Sequence, residues 1–290
     1  MPPHLLIFGF GYTARFLAQK ARGINIHITG TTRDKNALGY NSEFDCQLIH
    51  FSEKSIEHTL ETTSHILIST PPTHDLGDPV LVTFGHLLKK YIRNIQWIGY
   101  LSSTSVYGDH QGRWVDESSK PIALGHQGQL RLSAENEWSS FADAYQVPLT
   151  IFRLAGIYGP KRNVLARLIA GKNDTIVKAG HLFSRIHVED IALAIVAAMQ
   201  NPKVGITIYN VADDEPAPSH VVDEYTASLL QRPPLKRIAY KMATLSPMAQ
   251  EFYSNNKRVA NAKVKKELNI QLTYPTYKEG LADLLQNEDY

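Results

Sequence analysis

Through its first 155 residues the chain alternates short apolar runs with segments whose apolar residues recur at helical spacing, and few folds satisfy that pattern. The runs are HLLIFG, INIHITG, CQLIHF, SHILIST, IQWIGYLSS and PLTIFRLAG; between them lie YTARFLAQKARG, PVLVTFGHLLKKYIR and LRLSAENEWSSFADAYQ. Strands that are apolar along their whole length must be covered on both faces, which is the condition of a mainly parallel sheet flanked by helices. Right-handed crossovers then give a doubly wound, Rossmann-like α/β sheet. After about residue 155 the alternation loosens, and Gly and Pro become frequent in GIYGPKRN, ADDEPAPS and RPPLK. Residues 1–155 are therefore read as a nucleotide-binding domain, completed by about 186–212, where VEDIALAIVAAMQ reads as an apolar helix and GITIYNVA as a strand. Residues 156–185 and 213–290 form a smaller C-terminal substrate lobe.

Composition excludes several classes. A net charge of +2 argues against a dedicated nucleic-acid surface. No apolar stretch reaches the roughly 20 residues of a membrane span, and the N-terminus lacks a basic lead and a cleavage site, so a cytoplasmic protein is expected. The one cysteine, Cys46, excludes an internal disulfide and reads as a small buried apolar residue. Twelve scattered histidines form no cluster with metal-ligand spacing, so no metal is expected. The basic stretch NNKRVANAKVKKEL reads as the exposed face of a helix.

The first strand breaks into Gly9, Phe10, Gly11, Tyr12, Thr13, Ala14, a G-x-G-x-x-A turn opening a helix. Such a turn needs glycine twice, once to reverse the chain sharply and once so that backbone N–H groups approach a pyrophosphate. Small Ala14 lets helix and strand pack closely, and the helix N-terminus favours negative charge. The second strand ends in Thr31, Thr32 and Arg33, with no carboxylate before Asp34. A carboxylate there would repel a 2′-phosphate, whereas Arg33 and two hydroxyls bind one by charge-assisted hydrogen bonds, so NADP is favoured over NAD.

Four stretches, YLSSTSVYGD, FRLAGIYGPKRN, RIHVEDIALAI and YNVADDEPAP, resemble in order the extended short-chain dehydrogenase/reductases, the NAD-dependent epimerase/dehydratase family; YPTYKEGLADLL suits its atypical members. The resemblance implies that Ser103 polarises the reacting oxygen of a small-molecule substrate. It also places Ser69, Thr70 and Pro71 along the cofactor, Leu154 and Ala155 near its nicotinamide, and implies a homodimer. For Asp190 the reading is a helix cap; His187 reads equally as a packed core histidine or a pocket group.

The family's proton donor is a Tyr followed four residues later by a Lys, whose ammonium brings the phenol into working range. Counting back from Glu135 puts Gln127 at the Tyr position and Arg131 at the Lys position; starting from Glu137 gives Gln129 and Ser133. A glutamine amide exchanges no proton near neutral pH, and an arginine stays protonated. Tyr107, four residues after Ser103, is the remaining phenol of that segment, as donor or as packing, and Tyr158 has a weaker claim. Lys161 and Arg162 suit an anionic or nucleotide-linked substrate, or simply solvent. Two functions stay open: an NAD(P)-dependent oxidoreductase or epimerase/dehydratase-like enzyme with altered acid–base groups, and a non-catalytic NADP-binding redox sensor or regulatory protein.

Overall fold

The computed structural model describes residues 2–290, and of residues 247 and 248 the backbone only. In chain order it begins with β1 (His4–Phe8), α1 (Tyr12–Lys20), β2 (His27–Thr32), β3 (Gly39–Asn41), β4 (Cys46–His50), α2 (Glu53–Leu60), β5 (His65–Ile68), α3 (Pro79–Lys90) and β6 (Trp97–Ser103). Then come β7 (Trp114–Val115), α4 (His126–Tyr145), β8 (Leu149–Leu154), β9 (Gly156–Tyr158), α5 (Val164–Ile169), β10 (Asp174–Val177), β11 (Arg185–His187), α6 (Val188–Gln200) and β12 (Ile206–Val211). The chain closes with α7 (Ser219–Leu229), β13 (Lys236–Ala239), α8 (Pro247–Ser254), β14 (Arg258–Val259), α9 (Ala262–Glu267) and α10 (Tyr277–Gln286).

Contacts divide the chain into two units: residues 1–103, 129–153 and 191–209, and residues 104–128, 154–190 and 210–290. The large sheet runs β12-β8-β6-β5-β1-β2-β4-β3. From β1 the chain steps outward through β2 to β4, then returns to β5 on the other side of β1 and continues to β6 and β8, which is the doubly wound order. β1 pairs in parallel with both β2 and β5, and β5 with β6, while the three-residue edge strand β3 runs antiparallel to β4. Leu5 to Phe8 are fully buried, as a central parallel strand requires. One core cluster gathers Leu6, Phe8, Ile56, Phe84, Tyr100 and Trp138 between the sheet and α2, α3 and α4. Cys46 is buried on β4, where burial pushes its thiol up to about 11.

Local chemistry sets the helix starts. Asp78 caps α3 by accepting from the amides of Val80 and Leu81, both at 3.0 Å, with Pro79 in the first turn. Thr276 and Glu279 form a capping box at the start of α10.

The second unit is built from short parallel pairs, β9 with β11, β10 with β13 and β7 with β14, around a core of Tyr158, Leu165, Val222, Tyr277 and Leu281. One sequence expectation is corrected here. The stretch NNKRVANAKVKKEL is not one exposed helix face: Arg258–Val259 is the strand β14, and Lys257 is buried with Nζ 3.2 Å from Gly108 O. Burial drives the Lys257 ammonium down to about 8. Asp190 lies in the first turn of α6, and its carboxylate accepts from the amides of Thr273 (2.7 Å) and Tyr274 (3.0 Å), pinning a distant loop.

Candidate functional site

Gly9, Arg33, Ser69 and Ser103 each stand at or just past the carboxyl end of a strand, and those strands, β1, β2, β5 and β6, are neighbours in the order β6-β5-β1-β2. With strands spaced about 4.8 Å apart, one edge of the first unit carries all four groups. The winding direction reverses between β1 and β5, which is where open parallel sheets take their ligands.

The turn after β1 is held in a conformation that glycine permits. Gly9 has φ +91°, and a Cβ there would lie 2.9 Å from Thr70 Cγ2 and 3.2 Å from Thr70 N. Its amide donates to Thr31 Oγ1 at 2.8 Å, and the amides of Ser69 and Thr70 both donate to Phe8 O, so three strands converge on one turn. At Gly11 the surroundings are the opposite: the residue is exposed, and nothing lies within 4 Å of where a Cβ would be. Gly11 is also the N-cap of α1, with no side chain serving its first turn. Ala14 and Thr13 are buried behind it, and Tyr12 stacks edge-on against Phe16. Beside Gly9, Thr70 Oγ1 is buried and has no hydrogen-bond partner among the described residues. Open space above a helix N-terminus and an orphaned buried hydroxyl together fit a pyrophosphate, whose oxygens accept from exactly such donors as N–H and O–H groups.

At the end of β2, Thr31 is buried and its hydroxyl is used by Gly9, while Thr32 Oγ1 accepts from the Asp34 amide at 3.1 Å. Arg33 is exposed, and Asp34 turns away to cap the following turn at the Asn36 amide. Pro71 is exposed beyond Thr70.

Ser103 ends β6 and is half-buried. Gln127 is exposed in the first turn of α4. Arg131, one turn on, donates from Nη1 to Leu101 O at 2.7 Å, with the Tyr100 hydroxyl at 3.5 Å, and so ties α4 to β6. Burial holds the Tyr100 phenol well above its ordinary range despite that guanidinium. Behind Ser103, the hydroxyl of Ser102 donates to Glu135 Oε1 at 2.5 Å, and Arg153 clamps Glu135 through Nε and Nη2. This buried triad was not legible in the sequence, since its members lie on three elements.

In the second unit, Tyr107 is fully buried and its hydroxyl donates to Asn210 Oδ1 at 2.8 Å. Leu154 and Ala155 are buried, and the Ala155 amide donates to Val211 O. His187 lies between the rings of Tyr158 and Tyr274, 5.1 and 4.0 Å away, and burial drives it down to about 4. Tyr158 donates to Thr276 O, with burial raising its phenol beyond the ordinary range. Among the described residues no group of His, Cys, Asp and Glu is arranged to hold a metal ion. Among them, too, no helix is long and apolar enough to cross a membrane.

A mostly parallel, doubly wound sheet with a glycine turn at its switch point defines a dinucleotide-fold protein, and comparison with known proteins narrows the class. The profile of the NAD dependent epimerase/dehydratase family matches residues 86–212. The chain is 31% identical to Protein YeeZ of Escherichia coli K12, over 93% of this chain and 95% of that protein. It is also similar to a functionally unknown conserved protein from Silicibacter pomeroyi, with 41% identity, 99% of each chain covered and a TM-score of 0.91. The fold alone is shared with the dTDP-glucose 4,6-dehydratase of Bacillus anthracis solved with NAD, at 18% identity, TM-score 0.79 and 99% and 98% coverage. The chain belongs to the NAD dependent epimerase/dehydratase family.

Proposed function

We propose that this chain is an NADP-dependent oxidoreductase of the epimerase/dehydratase type, acting on a small carbonyl or hydroxyl compound. The observation that carries the reading is the turn at Gly9–Ala14: an open N-terminus at Gly11, with the unpartnered Thr70 hydroxyl beside Gly9. Amides of the first turn of α1 and Thr70 Oγ1 would hold the pyrophosphate, and the exposed Arg33 would meet a 2′-phosphate. NADPH held there would supply hydride-transfer chemistry. Ser103 holds the reacting oxygen by a hydrogen bond and polarises it. That oxygen takes its proton from solvent, because Gln127 carries no exchangeable proton of suitable pKa and the buried Tyr107 phenol is committed to Asn210. Arg131, engaged with Leu101 O, acts as a brace for β6.

The test follows NADPH oxidation at 340 nm across a panel of aldehydes, ketones and keto-sugar nucleotides. With a competent substrate, Ser103→Ala lowers kcat at least tenfold and leaves the Kd for NADPH unchanged. Unchanged turnover in Ser103→Ala contradicts the role given to that hydroxyl. Tight NADPH binding with no turnover on any carbonyl would favour the redox-sensor reading instead.

A further inference from the structure

Lys257, in the second unit, is 9% exposed, so its ammonium is held largely out of water. A lysine ammonium carries three N–H donors, and burying it is costly unless an anion joins it. Here Nζ donates to one neutral acceptor, Gly108 O at 3.2 Å, and among the described residues no carboxylate forms an ion pair with it. Asp109 is the carboxylate whose charge reaches the ammonium, but Asp109 Oδ1 accepts from the amides of Gln111 and Asn256, each at 3.0 Å. Backbone bonds fix the lysine on both sides. The amides of His110 and Gly112 donate to Asn256 O, and the Arg258 amide donates to Arg113 O. Its acceptor is fixed too, because Gly108 has φ +66° and a Cβ there would run into Ile122 O. Two imidazoles carry orphaned nitrogens in the same part of the unit. Nε2 of His110, two residues past Gly108, is buried without a hydrogen-bond partner among the described residues, and so are both ring nitrogens of His181. The Tyr253 carbonyl faces the His181 ring but accepts from Lys178 Nζ. Asn256, next to Lys257 in the chain, brackets His181: its Oδ1 accepts from Leu182 N at 3.0 Å and its Nδ2 donates to Gly180 O at 2.9 Å.

A buried ammonium with unused donors, among imidazoles that also lack partners, is a set of groups short of an acceptor. We propose that Lys257 anchors a binding site for a small carboxylic acid within the second unit, distinct from the turn at Gly9. An ammonium is a point charge rather than a fork, so it takes one oxygen of a monoanion end-on. The second carboxylate oxygen is left for an imidazole N–H, since a neutral histidine carries one donor. The rings of Phe183 and Tyr253 pack on His181 at centroid distances of 4.4 and 5.5 Å, so the carbon part of the ligand meets aromatic surface. An aromatic carboxylate is therefore the probe of choice.

The test is isothermal titration of the full chain at pH 7 and low salt, with benzoate, benzamide and inorganic phosphate as probes. Benzoate binds saturably at one site. Benzamide, which keeps the shape and loses the charge, binds at least tenfold weaker, and so does phosphate. Lys257→Gln keeps an N–H for Gly108 O without the charge, and it weakens benzoate at least tenfold. Lys257→Met, a second uncharged variant, gives the same loss. Removing a buried charge that has no ionic partner strands no other charge, so both variants keep the fold, and urea midpoints no lower than that of the unaltered chain check this. Lys178→Gln removes the neighbouring cation and changes benzoate affinity less than threefold. No saturable benzoate binding, benzamide or phosphate binding as tightly, or undiminished affinity in either Lys257 variant overturns the proposal. A loss in Lys178→Gln equal to that in Lys257→Gln overturns it too, since a diffuse positive field and not Lys257 would then hold the anion.

Discussion

Gly9 and Gly11 stand two residues apart in one turn, yet a methyl group meets different obstacles at each. At Gly9 it meets a positive φ and the backbone of Thr70; at Gly11 no described residue comes within 4 Å of it. Gly9→Ala is therefore expected to destabilise the chain by about 1–3 kcal/mol, the range for a forced backbone conformation, read as a fall in the urea midpoint. Gly11→Ala should leave that midpoint within about 0.5 kcal/mol, the range of a harmless surface change, while weakening NADPH at least tenfold. Equal stability losses at both positions would contradict this division. The histidines make a second residue-scale prediction. His181 and His187 are both held down to about 4 by burial, against an ordinary 6.5. Between those values the unfolded chain binds more protons than the folded one. Their contribution is therefore present above pH 6.5 and is lost as pH falls towards 4, at about 1.4 kcal/mol for each pKa unit and each histidine. Chemical unfolding at pH 7 and pH 4.5 measures it, and His187→Phe should make the pH dependence shallower. An unchanged slope in that variant would show that His187 ionises normally in the folded chain. Of the turn itself, the glycine spacing was legible because it is local; the orphaned Thr70 hydroxyl was not, because β5 lies some sixty residues further along the chain.

Helix α4 is tied to the large sheet by two of its side chains. It carries Arg131, whose guanidinium is bound to a carbonyl of β6. One turn further, Glu135 joins Ser102 of β6 and Arg153 of β8, with the Arg153 and Glu135 side chains each 4% exposed. Removing one partner of a buried pair strands the other charge, so Glu135→Ala should cost about 3–5 kcal/mol. Replacing both Glu135 and Arg153 by Met should restore much of that loss, since the buried charges then disappear together. A double-mutant cycle by denaturant unfolding decides it; additive losses would show that the two side chains are not coupled. The sequence could not show the Arg131 tie, because a bond between a helix and a strand thirty residues away leaves no periodic signal. The edge strand β3 escaped for a related reason: Gly39, Tyr40 and Asn41 have no apolar alternation, and their pairing is with β4.

Across the whole molecule, the large sheet follows from apolar runs that could only be buried on both faces, and the strands read from the sequence are its seven longer members. The second unit was harder to read. Its strand pairs join segments as far apart as β7 and β14, each two residues long, and no local pattern announces such pairing. Lys257 shows the same limit, since a lysine in a basic stretch reads as solvated until the chain brings it to Gly108 O. The proposed dinucleotide site lies on the edge where β1, β2, β5 and β6 end. Its most direct test is a pair of fluorescence titrations of the purified, ligand-free chain with NADPH and NADH, repeated on Arg33→Ala. NADPH should bind at least tenfold tighter than NADH, a gap of about 1.4 kcal/mol, and Arg33→Ala should remove that gap while sparing NADH. Failure to bind either dinucleotide would reduce the glycine turn to a device of chain geometry and contradict the proposed function.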